Sequence, residues 1–343
     1  MKKTVTRRDF LRLTAIGAGL AAAGGIGWNK ALGGFGPELK RYSETRKLLG
    51  TYVTIIVIDT DESGPADTVK DAFAEIERLS GLLSRHNPSS ELSRLNGSGQ
   101  LRHASGELVS VLEQARHYAE LTAGAFDVTV APLVDLYRTH FADYDAPPDA
   151  TAVAEARRLV GYQMSTLEGN DVALLKPGMG ITLDGIAKGY IVDQTVALLK
   201  ARGMSRVLVA ASGDLSLCGR REDKQPWRIG IRHPRALSGY YRVLEQGRGG
   251  MATSGDYEAA FTADFRYHHI IDPRSGLSPA ELCSATVLAG DATTADALSV
   301  AAMVLGMTEG MELLERLPGV EALLIDKQMN SRATSGFPPP WQG

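Results

Sequence analysis

Apolar positions along the 343-residue chain alternate between two spacings, and each change of spacing marks an element. Tyr52 to Ile58 is a β-branched run directly after Leu49-Gly50-Thr51, and Val69, Phe73, Ile76 and Leu79 then fall at helical intervals. That order predicts a strand followed by an amphipathic helix. Ser105 to Thr122 repeats the helical pattern through Leu108, Leu112, Ala115 and Tyr118, with Ser105 as its cap and Gly124 as its stop. Pro147-Pro148-Asp149 opens another helix that runs to Val160, while Val172 to Leu175 and Ile181 to Leu183 flank Lys176-Pro177-Gly178 as the arms of a hairpin would. A glycine-bearing turn then enters a helix over Tyr190 to Ala201, with strands expected at Arg206 to Ala210 and Trp227 to Ile231. The last third reads as a strand (Ala285 to Ala289), two helices (Asp296 to Leu305 and Thr308 to Leu317) and a strand (Val320 to Ile325). Strands and helices alternate irregularly, which predicts an α+β fold rather than a βαβ series. No Gly-x-Gly-x-x-Gly follows a strand, and a Rossmann reading fails on that ground.

The N-terminus adds a compartment. Arg7-Arg8, then Asp9-Phe10-Leu11 and the uncharged Leu13 to Gly27, form a twin-arginine export pattern whose apolar core is shorter than the ~20 residues of a spanning helix. Residues 1–34 are therefore expected to be a removed signal peptide, residues 35–330 the functional domain, and residues 331–343 a Pro- and Gly-rich tail. The implied location is the periplasm, without a lipid anchor, since neither Cys218 nor Cys283 stands near the end of the signal. A disulfide between the two is permitted there but not indicated. The net charge of −3 gives no basic face for nucleic acid, and a 44% hydrophobic composition supports one large or two small cores.

Several segments carry candidate chemistry. Leu183 to Tyr190 lies between a strand and a helix, where Gly185 and Gly189 let the backbone approach a ligand, free amides at the helix start attract phosphate, and Lys188 adds positive charge. Gly249 to Glu258 is dense in small and hydroxyl residues, as suits a loop closing on a phosphorylated ligand. Tyr267 to Gly276 carries His268 and His269; neighbours in an extended segment face opposite sides, so only one imidazole faces the site. Asp296 and Ser299 stand at i and i+3 of a helix start, which fits either a half-site for a hard cation or an N-cap aspartate. Gly124 to Pro132 places Phe126 and Asp127 on a short strand, and Ser84 to Asn96 is a polar loop and turn.

In their order, these segments resemble the ApbE family of FAD:protein FMN transferases over roughly Leu49 to Ile325. The specific pieces are Gly-Ala-Phe-Asp-Val-Thr-Val-Ala-Pro at 124–132, Gly-Ile-Ala-Lys-Gly-Tyr at 185–190, Ala-Thr-Ser-Gly-Asp-Tyr-Glu at 252–258, His-Ile-Ile-Asp-Pro-Arg-Ser-Gly at 269–276 and Ala-Asp-Ala-Leu-Ser at 295–299. The resemblance implies a bilobed, T-fold-related α+β protein with mixed and antiparallel sheets, holding FAD in a groove between lobes. It also implies Mg2+ at the pyrophosphate and esterification of FMN to a threonine or serine of an acceptor flavoprotein, with release of AMP. Carried over by position, the flavin-side residues are Leu49, His86, Ala125, Phe126, Asp127, Asp184, Lys188 and Ile271; the metal residues are Gly185, Asp296 and Ser299; and His269 is the catalytic base.

Five positions depart from the family's usual residues. Leu49 and His86 stand where relatives often carry Met and Tyr, and Val300 stands where they commonly carry a ligating threonine. Thr182-Leu183-Asp184-Gly185 replaces an Asp-Leu-Gly-Gly run, a form closer to the branch serving nitrous oxide reductase maturation. The acceptor implied is an exported or membrane-bound electron-transfer protein. Two other readings compete, a periplasmic FAD carrier without chemistry and a metal-dependent FAD pyrophosphatase, and the substitutions at Val300 and Thr182 favour the carrier.

Overall fold

The structure, a computed structural model, describes residues 38–61 and 64–342. The expected signal peptide lies outside the described residues.

The largest element is an eight-stranded sheet built from β1 (Lys40–Leu48), β2 (Thr51–Asp59), β6 (Val207–Ala211), β7 (Asp214–Cys218), β10 (Gly249–Gly255), β11 (Leu282–Ala289), β12 (Glu321–Asp326) and β13 (Ser331–Ala333). They lie in the order β1-β2-β6-β7-β10-β11-β12-β13, and every pairing is antiparallel. Helices α1 (Pro65–Leu83), α6 (Ala187–Ala201) and α7 (Ala292–Glu315) cover one face. The hairpin of β8 (Trp227–Arg232) and β9 (Tyr240–Gln246) covers the other. With both faces covered, a strand has no solvent side to alternate toward. Hence Ile55 and Val57 enter the helix-side core, Ile56 and Ile58 the hairpin-side core, and the run reads as unbroken apolar sequence.

The remaining elements form the other wall of the site: α2 (Glu91–Ser98), α3 (Gly106–Leu121), α4 (Ala131–Tyr144), α5 (Ala150–Arg157) and a small sheet of β3 (Gln100–Leu101), β5 (Asp171–Leu174) and β4 (Ser165–Glu168). The Ser105 cap is present, its hydroxyl accepting from Leu108 N at 3.2 Å.

The structure differs from the sequence reading at six places, each for a local reason. Val172 to Leu174 pairs with β3 and β4, not with 181–183. Ile181 lies in no strand, and its partner is a side chain: Ile181 N donates to Asn96 Oδ1 at 2.7 Å and Asn96 Nδ2 donates back to Ile181 O at 2.8 Å. The expected short strand over 124–132 is a 3₁₀ turn, Val128–Val130, capped by Asp127. The two C-terminal helices are one run, Ala292–Glu315, kinked at Gly306 (φ 79°), where Glu281 Oε2 accepts from Met307 N. That helix is apolar and long enough to cross a bilayer, yet 67% of its apolar window is buried in the protein core. Gly249–Gly255 is a strand, not a loop; Gly250 reflects the start of α7 lying against it, since a Cβ there would sit 2.1 Å from Ala292 N. Finally, residues 331–333 of the expected tail pair with β12 as the sheet's edge, and Trp341 N donates to Val243 O at 2.8 Å.

Candidate active site

A cavity of about 640 Å³ opens between the main sheet with α6 and α7 on one side and α4 with the α1–α2 loop on the other. That volume is in the range of small-ligand sites.

The β1–β2 turn supplies Leu49, with φ 54° beside Gly50 at 71°. Two positive φ values are what a tight two-residue hairpin requires, and a leucine there is held in a region ordinarily left to glycine. The loop after α1 supplies His86, exposed, its amide donating to Ser84 Oγ. The turn after α3 supplies Ala125 and Phe126, both buried, with Phe126 edge-on to Tyr118. Asp127 lines the cavity, yet its carboxylate serves the backbone: Oδ1 accepts from Thr129 N and Oγ1, and Oδ2 from Tyr162 N at 2.8 Å. Burial raises its pKa in spite of these bonds. Ile271 closes the floor from a cluster with Leu133, Val134 and Tyr137.

Opposite them lies a charged cluster. Lys188 is ion-paired with Asp214, and its Nζ stands 4.0 Å from Asp296 Oδ1. Burial opposes the ammonium's charge, but Asp214 and then Asp296 outweigh it and hold the lysine above its ordinary pKa. Asp296 is 2% exposed, and burial followed by the nearby Asp214 charge pushes its pKa up. Its Oδ2 accepts from Gly189 N at 3.1 Å. Two of the amides expected to attract phosphate at the start of α6 are thus taken by the protein: Ala187 N donates to Leu183 O and Gly189 N to Asp296. Asp184 is exposed to the cavity at the turn before this helix, next to Gly185.

The two imidazoles separate as the alternation rule requires. His269 lines the cavity; His268 is 0% exposed and contacts Pro279 O through Nε2 at 3.0 Å. Burial, with His268 and the Lys188 charge adding to it, pushes His269 down to about 4. Its Nδ1 is buried without a hydrogen-bond partner among the described residues.

Ser299 does not line the cavity. It is fully buried, donates to Asp296 O at 2.9 Å and shares a 2.8 Å hydrogen bond with Ser254 Oγ, while Val300 presents its side chain to the cavity instead. Ser299→Ala is accordingly expected to change any divalent-cation affinity of this cavity less than about twofold, measured by Mn2+ titration, because the hydroxyl lies outside the lining and already bonds two groups of the protein.

Sequence reasoning missed Asp214 and Arg138, and gave Glu258 no role beyond ending the 249–258 segment; all three line the cavity. Asp214 was findable: Ser212-Gly213 between two apolar runs is a hairpin turn signal, and Asp214 is the first residue after it. The lining carries five carboxylates (Asp127, Asp184, Asp214, Glu258, Asp296) against two cations, Lys188 and Arg138.

The antiparallel sheet, its helices and this acid-rich cleft, with His269 and Lys188 in its wall, define an α+β protein with a ligand-sized site. The sequence profile of the ApbE family matches residues 49–324. FAD:protein FMN transferase of Vibrio cholerae is 35% identical over 306 residues, 85% of this chain and 90% of that protein. The Treponema pallidum FAD:protein FMN transferase is 30% identical, covering 88% of each chain. The solved flavin transferase ApbE from Vibrio cholerae superposes with a TM-score of 0.78 at 31% identity, over 87% of this chain and 98% of that one. The chain therefore belongs to the ApbE family, and it is a transferase.

Proposed function

We propose that the chain splits FAD and transfers the FMN half to a threonine or serine hydroxyl of an exported acceptor flavoprotein in the periplasm, with Mg2+ as the required cation. The reading rests on one observation above others: a neutral imidazole and an acid-rich cluster line the same cavity.

The charge balance argues for the cation. FAD brings a dianionic pyrophosphate into a lining that already holds more carboxylates than cations, an arrangement that repels the substrate unless a positive ion accompanies it. The donor chemistry fits Mg2+. Asp296 Oδ1 is a buried carboxylate oxygen facing the cluster, the Gly185 backbone lines the cavity beside it, and Mg2+ typically takes one or two carboxylates plus phosphate oxygens and water. Among the described residues no three ligating side chains converge, consistent with a site that substrate oxygens complete. When bound, Mg2+ neutralises charge building on the pyrophosphate.

The chain's own residues supply the rest. Lys188 offers its ammonium to a phosphate oxygen, and the apolar floor of Phe126, Ile271 and Leu49 takes the ring system. His269 accepts the proton of the acceptor hydroxyl as that oxygen bonds to the FMN phosphorus; the bond from phosphorus to the bridging oxygen breaks, and AMP leaves with the electron pair. Neither cysteine lines the cavity: Cys283 is buried with its thiol pushed up to about 11, and Cys218 Sγ donates to Ser205 O.

The experiment mixes the mature chain with FAD, Mg2+ and a flavoprotein acceptor domain, then reads the acceptor's mass after denaturation. Gain of one FMN, abolished by EDTA and by Asp296→Ala, is the expected result. Free FMN with AMP and no mass gain would instead establish the pyrophosphatase, and intact FAD at one-to-one stoichiometry the carrier.

A further inference from the structure

Lys188 stands between two buried carboxylates and is shared unequally. Its ion pair with Asp214 is direct, whereas Asp296 Oδ1 is 4.0 Å away, beyond hydrogen-bond reach. Asp214 is 2% exposed and comes from the tight β6–β7 turn, where Ser212 has φ 59° and a Cβ on Gly213 would sit 3.0 Å from Thr253 O. A non-glycine residue at positive φ in so confined a turn is backbone strain at the cavity wall, and such strain persists where the surroundings over-determine it. The turn fixes Asp214; Asp214 in turn fixes the ammonium. Asp296 is held from the other side by Gly189 N on Oδ2, which leaves Oδ1 directed at the cluster.

We infer that Asp214 is a positioning residue: it holds the Lys188 ammonium away from Asp296 and so keeps Asp296 Oδ1 open to a divalent cation. Without Asp214 the nearest carboxylate to Lys188 is Asp296, and a lysine paired there competes with any cation for the same oxygen. Asp214 thereby lets one small site present a fixed positive charge and an available carboxylate side by side, which substrate phosphate and cation each need. The inference rests on the cation-dependent reading given above.

The test measures Mn2+ binding to the full mature chain in the presence of FAD, against a blank of FAD alone, by loss of the free-ion paramagnetic resonance signal, with a melting curve for each variant. Asp214→Asn is expected to weaken Mn2+ about tenfold or more, the size of effect an opposite charge at this range produces. Adding Lys188→Met to that variant should restore affinity to within threefold of the unsubstituted chain. Glu258→Gln removes the same charge from the same cavity without touching Lys188, and is expected to change affinity less than threefold. Asp214→Ser carries the same expectation as Asp214→Asn and replaces it if that variant does not fold. Unchanged affinity in the Asp214 variants overturns the inference, as does failure of Lys188→Met to restore it, which would make Asp214 a ligand itself. Equal weakening by Glu258→Gln overturns it too, leaving only net charge. An unsubstituted chain that binds no Mn2+ even with FAD present overturns the cation reading itself, and that outcome is visible before any variant is compared.

Discussion

His269→Ala is expected to slow flavin transfer by about 10²- to 10⁴-fold while FAD binding stays within a few-fold, the signature of losing a general base rather than a binding contact. The ring has little to lose structurally: its Nδ1 has no partner among the described residues, its ring contact is the edge of His268 at 6.4 Å, and the backbone amide, which the substitution keeps, donates to Ala259 O at 3.0 Å. His268→Ala is the comparison, and it should affect stability before rate, because that ring is buried against Pro279 O and outside the cavity. The pH profile supplies a second check. Burial lowers the His269 pKa to about 4, so the neutral, proton-accepting form is present above that value and is lost as pH falls through it. An anionic phosphate beside the ring favours the protonated form and raises its basicity in the complex. The acid limb of kcat/KM, which reports the free enzyme, should therefore lie at lower pH than that of kcat, which reports the complex. Coincident limbs near pH 6.5, the ordinary value for histidine, would show that the base is a different, solvated group.

Much of this site was legible from residue order, and the illegible parts share a cause. Runs such as Tyr52–Ile58 and the helical series Val69, Phe73, Ile76 and Leu79 announce themselves because burial alone dictates their spacing. Strand β1 does not, since Lys40–Leu48 is an edge strand rich in charge and only half-buried, the usual protection of a sheet edge. The pairing of Ile181 with the Asn96 side chain leaves no periodic trace at all, for the partner is a single residue 85 positions away. The same holds for function. Lys188, Asp296 and His269 were visible as residue types within recognisable segments, whereas the partner that decides what Lys188 can do, Asp214, is 26 residues further on and meets it only through sheet topology. The small residues of 249–258 divide: Thr253, Ser254, Gly255 and Glu258 do line the cavity, whereas Gly250 answers to the closeness of α7.

That same closeness sets the largest expected loss of stability. Gly189→Ala should lower the unfolding free energy by about 3 kcal/mol, the upper part of the range for forcing a methyl into a packed interior. An added Cβ would lie 2.3 Å from Ala292 O and 2.9 Å from Thr293 Cα, backbone atoms that cannot swing aside. They cannot because the two helices cap each other. Asp193 of α6 accepts from Ala292 N at 3.0 Å and Thr293 N at 2.8 Å at the start of α7, while Asp296 of α7 accepts from Gly189 N at the start of α6. Each carboxylate also meets the positive end of the partner helix's dipole. Moving α7 to admit a methyl breaks both caps together and withdraws Asp296 from Lys188. The variant should thus melt earlier in a thermal scan and, in the fraction still folded, need more Mg2+ for half-maximal transfer. A variant that melts as the unsubstituted chain does would mean that the helices can separate at little cost, and Asp296 would then owe its place to something other than the Gly189 contact.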